Sequence, residues 1–274
     1  MKVAIKLAYL GGAYYGLQRQ PDLPTVESVV RKALAGIGVI NGDFCYAGRT
    51  DRGVNALCQV IDFWIDEDLE RLAVPRVLNS RLPRDIWAWA YAVAPIGFSA
   101  RWNATWREYR YLLYHPGLDL EAMRRAGEEL LGVHDFRNFS SAKEDTVREV
   151  QKLEVQERGG LYVLDIRANG FLWNMVRKIA GALEAIGCQD RDPGWISELL
   201  DPRINRGAPV APPEGLILMD VGYDGLDWKV DLYARRRAAR MLSLQARRWM
   251  ALAGVSLELQ RAMSDENVDG ELYC

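Results

Sequence analysis

The spacing of apolar residues changes repeatedly along the first hundred positions, and that alternation restricts the fold more than any other feature. Residues 2–9, Lys-Val-Ala-Ile-Lys-Leu-Ala-Tyr, alternate with a period of two and stop at Gly11-Gly12, as a half-buried strand does. From Thr25 the period becomes helical: Val26, Val29, Val30, Ala33, Leu34 and Ile37 share one face, and Thr25 is placed to cap it. A short strand over 43–48, a longer one over 56–65, a short helix over 69–80 ending before Pro83, and a strand over 85–94 follow. In the longer strand Val60, Asp62 and Trp64 face opposite to Ile61 and Phe63. This β-α-β-β order calls for an antiparallel or mixed sheet with helices on one side.

A second stretch repeats the plan without repeating the sequence. Trp106 to Tyr114 reads as a strand and 119–131 as a helix; 146–157 and 161–168 form a hairpin about Gly159-Gly160. Helices are expected over 171–186 and 193–200, and a closing strand from Leu216 to Val221. The chain divides into units at 1–103 and 104–224, with 225–274 as an extension. The extension interleaves Leu232, Ala239, Leu242, Leu244, Ala246, Trp249, Leu252 and Ala253 with Arg235, Arg236, Arg237, Arg240, Arg247 and Arg248, a basic amphipathic helix before an acidic tail from Asp265.

Composition closes off several function classes. At 274 residues and net charge −2, an overall excess of positive charge does not announce nucleic-acid binding, although arginines cluster locally. No apolar run reaches the roughly 18–20 residues of a membrane span. The start runs straight into a strand rather than a signal peptide, so a cytoplasmic protein is expected. Cys45, Cys58, Cys188 and Cys274 have no Cys-x-x-Cys spacing, and the two histidines, His115 and His134, supply neither a zinc site nor a serine–histidine triad.

Three segments carry chemistry. The first is Ala47-Gly48-Arg49-Thr50-Asp51-Arg52-Gly53-Val54, where guanidinium groups on either side favour the charged form of one carboxylate. Its glycines allow a sharp turn or a close ligand approach. Read alone it fits a surface turn with a local ion pair better than a site. The second combines Phe98-Ser99-Ala100-Arg101 with Arg107-Glu108-Tyr109-Arg110-Tyr111, where Tyr109 and Tyr111 share a strand face and Arg110 takes the other. Aromatic rings beside arginines suit base stacking with phosphate contact, or ordinary strand packing with surface cations. The third is Asn169 to Lys178, in which Trp173 and Arg177, four apart, are expected on one helix face.

Taken together these segments resemble the TruA family of tRNA pseudouridine synthases. The matching motifs are Tyr14-Tyr15-Gly16-x-Gln18-Arg19-Gln20, Gly48-Arg49-Thr50-Asp51-x-Gly53-Val54, Tyr109-Arg110-Tyr111, Phe171-x-x-x-Met175-Val176-Arg177-x-Ile179-x-Gly181 and Glu214-Gly215-Leu216, in family order over residues 1–224. The resemblance implies an α+β fold of two ferredoxin-like, RNA-recognition-type domains with mainly antiparallel sheets meeting at a basic cleft. It implies isomerisation of uridine to pseudouridine in the tRNA anticodon stem–loop, at positions 38–40, by a homodimer without cofactor or metal. Asp51 matches the essential aspartate, which attacks the ribose or abstracts a proton from it. Tyr109 matches the tyrosine stacked on the target base, Arg177 the basic partner of the aspartate, and Leu216 the leucine of the base pocket. Arg49 matches the arginine that fills the gap left by a flipped nucleotide, and Arg19, Arg52 and Arg101 are expected on RNA. Asn55 stands where the family often has histidine, Leu17 where it has tryptophan, and Arg52 where bacterial members carry a small residue. Two rival readings are a synthase of different or broader RNA site range and a tRNA-binding or folding protein without essential catalysis.

Overall fold

The computed structural model describes residues 1–39, 44–142 and 144–264. Strand β1 (Lys2–Tyr9) leads through a one-turn 3₁₀ helix to α1 (Val26–Ala35), which opens with a capping box: the Thr25 side chain accepts from the Ser28 amide, and the Ser28 hydroxyl accepts from that of Thr25. Val26, Val30, Ala33 and Leu34 are buried, as their spacing requires. β2 (Cys45–Tyr46) is shorter than the 43–48 expectation, whose first residue lies outside the described residues. β3 (Asn55–Trp64) follows the Asp51 loop.

The helix expected over 69–80 is broken. A 3₁₀ turn covers Glu67–Leu72, and α2 is only Pro75–Leu78. Val74 is extended, at φ −88° and ψ 150°, because the ring of a following proline excludes the helical region for the residue before it. β4 (Ile86–Ala94) completes the first half.

The second half runs β5 (Ala104–Leu113), α3 (Leu120–Glu128), β6 (Gly132–Asp135), β7 (Val147–Arg158) and β8 (Leu161–Ala168). It then continues through α4 (Met175–Gly187), α5 (Trp195–Leu200) and β9 (Leu216–Tyr223). The hairpin turn between β7 and β8 needs Gly159 and Gly160, whose φ angles are +61° and +79°. β10 (Lys229–Val230) and α6 (Leu232–Met263) end the described chain; the acidic tail from Asp265 lies outside it. β6 and β10 carry no alternation long enough to be read as strands.

Among the described residues the strands form one ten-stranded sheet in the order β10-β4-β1-β3-β9-β5-β8-β7-β6, with β2 on β3. All pairings are antiparallel except β3–β9, where Asn55 faces Ile217 and Ala56 faces Leu218. The fold is thus α+β, with a large, mainly antiparallel sheet and a C-terminal helix. Strands of the first half stand on one side of the β3–β9 seam, and those of the second half on the other. β3 is buried on both faces over residues 58–63, with Ile61 and Phe63 on one face and Val60 and Asp62 on the other. Asp62, at 0% exposure, is held by Lys2 Nζ at 2.9 Å and by the Ala100 amide at 2.6 Å. Burial of large side chains such as Phe63, Ile61, Phe136 and Phe139 supplies roughly 1.5–3 kcal/mol each.

Candidate active site

The Asp51 loop is pinned on every side before it presents a carboxylate. The Tyr9 hydroxyl lies 2.7 Å from Thr50 Oγ1, and burial pushes this phenol up to about 12. The Leu17 amide donates to the Thr50 carbonyl at 3.0 Å, an approach that requires glycine at 16: φ is +93°, and a Cβ there would stand 2.9 Å from the Thr50 oxygen. Gly53, at φ +83°, turns the chain back so that the Val54 amide reaches the Asp51 carbonyl at 3.2 Å. At the root of the loop, Arg107 donates to the Ala47 carbonyl from Nη2 at 2.8 Å and from Nε at 3.2 Å. The same guanidinium reaches the carbonyls of Arg101 at 2.8 Å, Asn169 at 3.3 Å and Ala104 at 3.4 Å. Burial lowers the Arg107 pKa, and four carbonyls answer its charge.

The cation at Asp51 comes from the far half of the chain. Arg177 Nη1 stands 3.5 Å from Asp51 Oδ2, in an ion pair only partly open to solvent. Its direction is set by two further bonds, Nε to the Ala211 carbonyl at 2.7 Å and Nη1 to Asn174 Oδ1 at 3.0 Å. Asn174 has φ +65°, a left-handed residue that ends the preceding loop and lets α4 begin at Met175 rather than at 171. Trp173 therefore precedes the helix and shares no helix face with Arg177; it is 61% exposed at the cleft. The sequence neighbours do not provide the ion pair. Arg49 is exposed, and the Arg52 guanidinium lies over the Tyr15 ring at 4.3 Å.

Tyr109 is buried on β5, with the ring of Phe171 edge-on at 5.1 Å, and burial drives its hydroxyl well above the ordinary phenol range. Leu216 opens β9 on the same cleft. Arg110, on the other strand face, pairs bidentately with Asp165 at 2.7 and 2.9 Å.

The result is a cleft of about 920 Å³ at the β3–β9 seam. Among the described residues, six arginines line it (Arg49, Arg52, Arg101, Arg107, Arg148 and Arg177) against a single carboxylate, Asp51. A net-acidic chain thus carries a strongly cationic cavity, the local clustering that overall charge concealed. Asp51, Tyr109, Arg177, Leu216, Arg49, Arg52 and Arg101 all meet there. Arg19 does not line it; the residue is exposed, and its amide donates to Glu27 at 2.9 Å. Arg107 and Asn174 belong to the segments that the sequence marks for chemistry but carry no assigned role there, and Arg148 lies outside them; Arg107 shares its strand face with Tyr109 and Tyr111. No group of three His, Cys, Asp or Glu side chains suited to a metal ion occurs among the described residues.

Comparison with known proteins identifies the family of the chain. A family profile described as tRNA pseudouridine synthase matches residues 126–224. A protein of Methanothrix thermoacetophila, tRNA pseudouridine synthase A, is 62% identical over 265 residues, 97% of this chain and 99% of that one. The chain belongs to the TruA family of tRNA pseudouridine synthases. Relatives of the same name from Methanocella arvoryzae and Methanococcoides burtonii are 48% and 42% identical, covering 89% and 98% of this chain and 92% and 100% of their own. As a TruA-family member the chain is an isomerase that forms pseudouridine. The departure from the TruA pattern at Asn55 has a structural role. Its Oδ1 accepts from the Gly11 amide at 3.0 Å, and its Nδ2 donates to the carbonyls of Glu214 at 2.8 Å and Leu216 at 3.3 Å. One side chain thus ties the β1 end, the Asp51 loop and the start of β9 together.

Proposed function

We propose that this chain converts uridine to pseudouridine in the anticodon stem–loop of tRNA and that Asp51 carries the reaction. The supporting observation is the cleft itself, where the one carboxylate among the described lining residues is ion-paired to Arg177 within a ring of arginines. Pseudouridine formation breaks the N1–C1′ bond, turns the base, and joins C5 to C1′. The hydrogen on C5 leaves as a proton and N1 gains one, so the mass is unchanged. Whether the carboxylate attacks the ribose or removes a proton from it, it acts as a carboxylate anion, and Arg177 aims it. C1′ and C5 of a stacked uridine lie out of reach, so the nucleotide must leave the stack.

Each remaining residue then has a task. Tyr109, fixed edge-on by Phe171, offers a ring to the flipped base, and Leu216 walls the pocket. Arg49, exposed at the rim, fills the gap left behind. Arg52 on Tyr15 and Arg101 on Trp102 are preset for phosphates, while Arg19 meets RNA outside the cleft. We further read residues 1–103 and 104–224 as two units meeting at the seam, with 225–274 as an extension. A cytoplasmic homodimer is the assembly expected.

The test is tritium release from tRNA transcripts made with 5-³H-uridine, wild type against Asp51→Asn. Release by the wild type and none by the variant supports the assignment. No release from any tRNA while binding persists overturns it, and mapping outside the anticodon arm overturns the proposed site range.

A further inference from the structure

Helix α6 is the largest feature that the cleft leaves unexplained. From Leu232 to Leu257 it contains no acidic residue and six arginines, in a chain of net charge −2. Arg235 lies over the Trp89 ring at 5.5 Å and belongs to the docked side. The other five point elsewhere. Arg236, Arg240 and Arg247 follow one another at spacings of four and seven, which keeps them on one helix face; Arg237 and Arg248, eleven apart, form a second row beside it. All five are exposed, and among the described residues none of them enters an ion pair. Uncompensated arginines in two parallel rows repel one another unless an anion joins them.

The course of the helix says which anion. The Asp231 amide bonds the Trp89 carbonyl at 2.9 Å; Ala238 then packs on Trp87 and Ala8, and Met241 and Leu242 extend this cluster to Leu10. α6 therefore runs along β4 toward the end of the sheet where Ile86 pairs with Tyr9 and Tyr9 with Ala56. The Asp51 loop and the cleft wall at Tyr15 to Leu17 sit at that end. From Ala246 onward the residues are exposed almost without interruption to Met263. At 1.5 Å per residue this exposed segment is about 27 Å long.

We infer that the outward arginine rows of α6, Arg236, Arg240 and Arg247 with Arg237 and Arg248, form a second RNA-contact surface. It holds the phosphate backbone of the substrate where the RNA continues beyond the cleft. The inference rests on the proposed tRNA substrate. Arginines 6–11 Å apart along a helix match neighbouring phosphates of a backbone, and they read charge rather than sequence. The apolar stripe of Trp249, Leu252 and Leu259 lies across the helix from the Arg236, Arg240 and Arg247 row, on the docked side, and is untouched by substitutions in that row.

The experiment measures tRNA affinity over a series of salt concentrations for the full chain, comparing wild type with R236Q/R240Q/R247Q. Since these side chains are exposed, the variant should keep the circular dichroism and Tm of the wild type. Affinity at low salt should fall at least tenfold, and the slope of log K against log salt should flatten by about two to three. The loss should appear in KM, and Arg→Lys at the three positions should restore affinity to within about threefold. Equal affinity and slope in wild type and variant would overturn the inference. So would a change of sedimentation coefficient accompanying the loss, because the helix would then join copies of the chain. Absence of pseudouridine formation by the wild type would instead sink the tRNA reading.

Discussion

Replacing Arg107 with methionine removes one guanidinium that holds four carbonyls from three separate segments. It donates twice to Ala47 at the root of the Asp51 loop, and once each to Arg101, Ala104 and Asn169. A hydrogen bond from a charged donor contributes about 1.5–3 kcal/mol, but most of these partners lie near the surface and regain water when the donor goes. The Ala47 carbonyl is the exception, since Ala47 is 1% exposed. The methionine also keeps much of the packing volume. A loss of about 2–4 kcal/mol in unfolding free energy follows, measured by urea denaturation.

The effect on rate should exceed what stability explains. Ala47 is four residues before Asp51, and its anchor sets where the loop stands against α4. A displacement of about 1 Å at a reacting group costs on the order of 10²-fold in rate. We expect kcat for tritium release to fall about 10–100-fold under conditions where the variant is fully folded. Arg107→Lys should rescue little, because one ammonium cannot span the directions that the guanidinium serves. A variant that loses 2 kcal/mol or more yet retains kcat within threefold would refute the positioning argument. One that loses less than about 1 kcal/mol would refute the energetic one.

Three further outcomes follow from the same geometry. Asn55→Ala removes the bonds to Gly11, Glu214 and Leu216 and should cost about 1–3 kcal/mol by urea denaturation, with a larger loss of activity than of stability. Gly53→Ala must hold φ +83° with its Cβ 3.1 Å from Pro213 Cγ, so it should lose about 1–3 kcal/mol by the same assay and lower kcat. Burial raises Tyr9 from 10.0 to about 12, so its protonated form favours the folded state fully below pH 10 and that contribution is lost as pH rises toward 12. The urea midpoint should therefore fall between pH 10 and 12, and Tyr9→Phe should flatten that fall.

Periodicity disclosed most of the scaffold because most of it obeys one local rule at a time. Strand β1, capped helix α1 and the hairpin about Gly159-Gly160 each combine an apolar pattern with the residue that starts or turns it. The misreadings occur where a single backbone angle overrides the pattern. Pro75 holds Val74 extended and breaks a helix, and Asn174 at φ +65° delays α4 by four residues, which removes Trp173 from it. β6 and β10 are short edge strands, four and two residues long, whose existence depends on a neighbour and not on their own residues. Of the site, side-chain types are legible in the residues themselves, while the Asp51–Arg177 partnership is legible only through the family resemblance and not from spacing. The flanking arginines of Asp51 were expected to pair with it, but in a turn this tight adjacent side chains diverge, and Arg52 goes to Tyr15.

That Asp51 is answered by Arg177 makes the site a property of the seam between the two halves of the sheet. Across the seam β3 and β9 share two paired positions, Asn55 with Ile217 and Ala56 with Leu218, joined by the Asn55 side chain, the Arg107–Ala47 bonds and the Lys6–Asp220 ion pair. Each half has its own helices and most of its own strand pairing, while one buried core spans both, so a small shift at the seam can part carboxylate from guanidinium without unfolding the chain. An arginine facing Asp51 at 3.5 Å forfeits much of that attraction if the halves separate by even one ångström and water enters. Activity should accordingly be more sensitive than stability to every contact across β3–β9. With Asp51 in its proposed role, the histidine-to-asparagine departure at position 55 therefore bears on the chemistry although it changes none of the proposed reacting groups.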